Sequence, residues 1–131
     1  MATGLNAVNL ADKWLNILGG TSFTPPSGIY VKLHTNAGEP GSGGTLNASA
    51  ETTRKQITWA ASSSGSKAMT GTLSWSAWSA GNETIGYVSL WDASTGGNCL
   101  WTAPLASPKS VTNGDTFSIT TLTAALSPIA T

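Results

Sequence analysis

Charge is scarce in this 131-residue chain: 9% of its residues are Asp, Glu, Lys or Arg, against a usual fraction of about 25%. The six basic and six acidic residues cancel. A neutral surface exerts no long-range pull on phosphate, which excludes charge-driven nucleic-acid binding and a polybasic membrane contact. Cysteine and histidine occur once each, as Cys99 and His34. Two such ligands fall short of the roughly four of a structural zinc site. A lone cysteine forms no disulfide within the chain, which fits folding in a reducing compartment. No apolar run approaches the ~18 residues of a membrane-spanning helix. The start Met1-Ala2-Thr3-Gly4 carries no basic region, and Asp12 and Lys13 interrupt the apolar pattern, so no signal peptide is expected. Asn47-Ala48-Ser49 and Asn82-Glu83-Thr84 match a glycosylation pattern that means nothing without secretion.

What is present points to an all-β domain. The chain is 40% apolar, enough for a core, and it is not of the highly charged, weakly hydrophobic kind that stays disordered. Ser, Thr, Gly and Ala take the place of charges, and six tryptophans punctuate them. The pattern predicts one domain over 1–131. Its parts are a helix over about 4–18 and an antiparallel β-sandwich or barrel of about 7–8 strands over about 28–127.

The helix rests on Leu5, Val8, Ala11, Leu15 and Leu18, widened by Leu10, Trp14 and Ile17, with Asn6, Asn9, Lys13 and Asn16 opposite. Gly19-Gly20 stops it. A helix of this length is marginal alone, so its stripe must dock, either on its own domain or in part on a neighbouring subunit. Ile29, Val31 and Leu33 alternate with Tyr30, Lys32 and His34, a half-buried strand that puts His34 on the polar face. Residues 35–50 form a long glycine-rich loop, read either as a contact loop or as a mobile one. Arg54–Ala60 is a strand. The alternation of Met69, Gly71, Leu73 and Trp75 is another, and Thr84–Trp91 is apolar on both faces and so central. In that strand Ile85, Tyr87 and Trp91 are set on one side, Val88 and Leu90 on the other. Asp92–Gly97 reads as a hairpin loop, Pro104 and Pro108 demand an edge or a loop, and Asn113-Gly114 signals a final hairpin.

The order of these pieces resembles a family of small structural proteins of tailed bacteriophages: minor tail, tail-fibre-like or capsid decoration proteins, common in phages of actinobacteria. The resemblance rests on the helix ending at Gly19-Gly20 and on Tyr30-Val31-Lys32-Leu33-His34-Thr35 running into Gly38-Glu39-Pro40-Gly41. It continues through Thr53-Arg54-Lys55-Gln56-Ile57-Thr58-Trp59, Tyr87–Gly97 and Val111–Phe117. Thr52-Thr53 departs from the family's usual Tyr and Ala. The resemblance implies a non-enzymatic virion protein assembled in the host cytoplasm, with no catalytic residues and no cofactor. Its leading form is a capsid decoration protein on the major capsid lattice, associating with itself, for instance as a homotrimer. The alternative is a minor tail or head/tail fibre protein.

Candidate partner contacts are Trp14, Glu39, Pro40, Arg54 and Trp78. Arg54, the single arginine, could pair with a carboxylate such as Glu51, Glu83, Asp92 or Asp115. Trp78 stands in a loop among small residues, either as an exposed anchor or folded back over the sandwich end. Exposed and coplanar with a second aromatic, it would instead suit a carbohydrate-binding module, a second alternative. Trp59, Trp75, Trp91 and Trp101 fall at core phase in strands, and Cys99 reads as a small buried hydrophobe. His34 lacks a paired carboxylate and a distinctive nucleophile, and the scattered acids make no glycosidase pair, so no catalytic or metal site is expected.

Overall fold

A computed structural model describes residues 3–127 and 130; Met1 and Ala2, where the leader reading begins, lie outside it. The fold is mainly antiparallel β with one helical segment near the N-terminus. The strands are β1 (Gly4–Leu5), β2 (Tyr30–Thr35), β3 (Lys55–Gln56), β4 (Thr58–Trp59), β5 (Ser66–Thr70), β6 (Leu73–Trp75), β7 (Glu83–Trp91), β8 (Cys99–Val111), β9 (Phe117–Ile119) and β10 (Thr123–Ala125). They form a five-stranded sheet ordered β1-β8-β7-β2-β3, a three-stranded sheet β10-β5-β4 and the pair β6-β9. The core lies between the large sheet and the smaller ones: Val31, Leu33, Ile85, Val88, Leu90 and Val111 from one side meet Leu73, Trp75, Phe117 and Ile119 from the other. Ile57 and Trp78 complete it.

Two expected strands divide. Residues 54–60 split into β3, which pairs with β2, and β4, which pairs with β5, so this stretch crosses from one sheet to the next. Residues 69–75 break at Gly71, whose φ of +74° is open to glycine at no steric cost. The chain turns there from β5 into β6, which pairs with β9. Asn113-Gly114 makes its turn, yet β8 and β9 do not pair with each other, since β8 pairs with β7 and β9 with β6. The turn carries the chain between sheets instead of closing a hairpin.

β7 is central, as its two apolar faces require. Its register against β8 shifts between Ile85 and Tyr87. This bulge flips the phase, so Ile85 joins Val88 and Leu90 in the core and is not on the side of Tyr87. The hairpin at 92–97 joins β7 to β8. Pro104 and Pro108 sit within β8 beyond the two residues that pair with β1, where an edge tolerates a missing donor.

The expected helix over 4–18 is a composite. After β1, Ala7–Ala11 is a π-helical turn, α1 spans Asp12–Asn16, and Ile17–Gly19 is a 3-10 turn. Asn6 caps it, its side-chain oxygen accepting from Asn9 N at 2.8 Å. The wider π turn changes the phase of the side chains, so the apolar stripe does not meet its own sheet as a single face.

Candidate partner interface

The N-terminal segment is turned partly inside out. Asn6 donates its amide to Ser42 O at 2.7 Å, and Asn9 donates to Cys99 O at 2.9 Å. Helical spacing puts both on the polar, outward face; they instead satisfy carbonyls of the loop and of β8. Gly4 and Leu5 add a ladder with Thr102 and Trp101, and Asn6 N donates to Leu100 O. Leu10 is buried and Trp14 half-buried on the inner flank. The outer flank is apolar: Val8 is 72% exposed, Leu15 62%, Ile17 51% and Leu18 87%. The stripe thus docks on its own domain through Leu5, Leu10 and Trp14 and leaves Val8, Leu15, Ile17 and Leu18 outside. The cue in the sequence was an excess of apolar residues, since Leu5, Val8, Leu10, Trp14, Leu15, Ile17 and Leu18 exceed what one side of a short segment can bury.

Beneath the inner flank runs an apolar groove of about 500 Å³. Leu10, Trp14 and Phe23 line it from the N-terminal side, Trp59 and Trp101 from β4 and β8, and Leu126 from just after β10. The Ser62–Ser64 turn also lines it. Lys67, its one charged side chain, spends its ammonium on Ala60 O at 2.7 Å.

The other expected contacts are placed as follows. Trp78 is 2% exposed. Its backbone brackets the turn after β8, with Trp78 N donating to Asp115 O and Gly114 N to Trp78 O, and its indole donates to Gly81 O. It packs 6.4 Å from the Phe117 ring, so it closes the end of the sandwich and is no exposed anchor. A carbohydrate module loses the aromatic it needed. Pro40 is enclosed in the 36–50 loop, while Glu39 is half-buried and its carbonyl accepts from the Asn47 amide.

Among the described residues, Arg54 bonds to none of the four carboxylates considered for it. Its guanidinium donates to Ala93 O and Gly96 O at 2.8 and 2.7 Å and stacks 3.9 Å over the Trp91 ring. The four acids considered as partners are engaged elsewhere, Glu83 on Ser49 and Ala50 of the 36–50 loop, Glu51 on Thr53 N, Asp92 on Asn98 and Asp115 on Thr112. Arg54 clamps the 92–97 hairpin.

His34 is buried, not on a solvated face, because the 36–50 loop covers that side of β2. Leu46 O is only an acceptor, so Nδ1 of His34 carries the hydrogen and donates to it at 2.9 Å. Nε2 then accepts from Ser89 Oγ at 2.7 Å, and Ser89 Oγ accepts from the Trp91 indole N–H at 2.7 Å. Burial lowers the pKa of His34 to about 4. A serine beside a histidine suggests a nucleophile and its base, but both are sealed from solvent and the imidazole is a poor base. The network is a latch for the loop. Lys32, whose pKa burial and then Arg54 lower, lies with its ammonium 5.5 Å from the Trp91 ring centroid and 3.4 Å from Gly44 O.

A family model described as podophage GP4 fiber I protein gp80 matches residues 7–127. The chain belongs to this family. No curated protein matches it. Membership of the gp80 fibre family makes it a bacteriophage structural protein and accounts for the phage resemblance. It gives no support to a specifically actinobacteriophage capsid decoration group. The gp80 match spans the outward N-terminal segment, the groove and the 36–50 loop alike.

Proposed function

We propose that the protein is a non-enzymatic component of a virion fibre, held in the particle by packing contacts along its N-terminal segment. The observation that carries this reading is the fibre-family match over residues 7–127. The family match favours the fibre alternative over capsid decoration. The outward Val8, Leu15 and Leu18 and the adjoining groove support a contact role, since large exposed apolar patches mark interaction sites. The scarcity of charge agrees, because interface cores are depleted of charged residues. On this reading the partners are other fibre or tail proteins and further copies of the chain, not the major capsid lattice.

Particles assembled without this chain test the reading. The expected result is capsids as resistant to heat and low salt as the wild type, lacking a fibre. Heat-labile capsids with every fibre in place would return the decoration role.

A further inference from the structure

We propose that Lys32 and Arg54 form a carboxylate-binding site on the face of the five-stranded sheet turned away from the core, and that its ligand is an Asp or Glu side chain of a neighbouring fibre protein. β2 and β3 pair Tyr30 with Gln56 and Val31 with Lys55, so the next step of the register sets Lys32 opposite Arg54. Like charges directly opposite each other destabilise a sheet. The chain has six basic residues in all, and two of them share this spot. Both are drawn to one indole: the guanidinium lies 3.9 Å and the ammonium 5.5 Å from the Trp91 ring centroid. Their hydrogen bonds run to neutral carbonyls, Lys32 to Gly44 and Arg54 to Ala93 and Gly96. The opposed charges are felt, since burial first and the guanidinium second lower the Lys32 pKa.

The remaining edge of Arg54 sets the class of ligand. Both of its bonds leave from Nη1. The Nε–Nη2 edge can grip a carboxylate by two parallel bonds. Among the described residues it makes no hydrogen bond, and neither atom is buried without a partner. Asp92 also acts on Arg54, although it is bonded to Asn98, so two cations stand against one acid. A monoanion balances that excess, and a phosphate dianion exceeds it. A sugar acid would stack on an open aromatic face, but Trp91 is 6% exposed and capped by the guanidinium, which favours an amino-acid carboxylate.

The partner's place in a fibre rests on the proposed function, but the site is tested on the isolated full-length chain, so its failure leaves the fibre assignment standing. Arg54 is the single arginine, and its Nε–H therefore gives one arginine side-chain signal in a nitrogen-15 spectrum. At constant ionic strength, N-acetyl-glutamate α-amide should move that signal and saturate it with a dissociation constant of about 10 mM, the order that a few solvent-exposed charge-assisted bonds supply. The neutral N-acetyl-glutamine α-amide should leave it in place. Lys32→Gln should weaken binding about 3–10-fold. Its urea midpoint should stay level or rise, because the opposed charges are relieved. No movement of the signal at about ten times that concentration, equal movement with the neutral amide, or wild-type affinity in Lys32→Gln overturns the site. A lower midpoint in Lys32→Gln makes the lysine a structural residue and overturns it as well. Tighter binding of inorganic phosphate or of glucuronate than of the glutamate amide overturns the choice of ligand.

Discussion

The amide of Asn9 reaches the carbonyl of Cys99 at 2.9 Å, while its neighbour Val8 lies 72% exposed. A polar side chain is turned in and an apolar one out, the reverse of what a solvated monomer favours. Asn9→Ala leaves the Cys99 carbonyl without this partner and should cost about 1–2 kcal/mol. Limited proteolysis should then cut within residues 3–20 first, with hydrogen exchange in β7 unchanged. Equal loss of protection in β7 would mean that the segment is integral to the core.

Ser89 serves two buried partners, His34 and Trp91. Ser89→Ala orphans the indole N–H and the imidazole Nε2 together and should destabilise by about 2–4 kcal/mol in urea unfolding. Ser74→Ala, at the exposed Ser74–Ser118 pair, should stay within about 0.5 kcal/mol.

The same latch sets a pH dependence. His34 has a folded pKa of about 4 against 6.5 when unfolded, so between those values the unfolded chain binds the extra proton. Its contribution is complete above pH 6.5 and is lost as pH falls towards 4, by up to about 3 kcal/mol. Urea midpoints at pH 7, 6, 5 and 4 should decline steadily, and the decline above pH 5 should vanish in His34→Gln. A flat wild-type profile over that range contradicts the buried neutral imidazole.

Much of this was legible in the residues, and the misses have physical causes. Alternation located β2 and the apolar faces of β7, and the glycines of 92–97 marked their hairpin. The side assignment within β7 failed because a bulge after Ile85 shifts the phase, which no period of two reveals. His34 was set on a polar face because the sequence does not announce that a distant loop folds over it. Trp78 was ambiguous for the same reason, its cover coming from the Asn113–Asp115 turn. The π turn over Ala7–Ala11 concealed the outward row, since helical spacing assumes a constant pitch.

Arg54 holds two carbonyls of one hairpin and an indole face. Lys keeps the charge but loses the planar fork and the stacking. Arg54→Lys should cost about 1–2 kcal/mol, with faster amide exchange across 92–97 as the local readout.

Gly44 packs the 36–50 loop onto the sheet. A Cβ there would lie 2.7 Å from Cys99 Sγ, at a φ of +61°. Gly44→Ala should destabilise by about 1–3 kcal/mol. Cys99→Ala removes the nearest clashing atom, so the double variant should lose less than the sum of the two singles. Strict additivity would show that the loop does not rest on Cys99.

The central claim, that this chain builds a virion fibre, is tested most directly by locating it on the particle. Gold-labelled antibody against the chain, viewed on purified virions by electron microscopy, should decorate fibres and leave the capsid faces bare. Label spread over the capsid lattice, with unlabelled fibres, would contradict it.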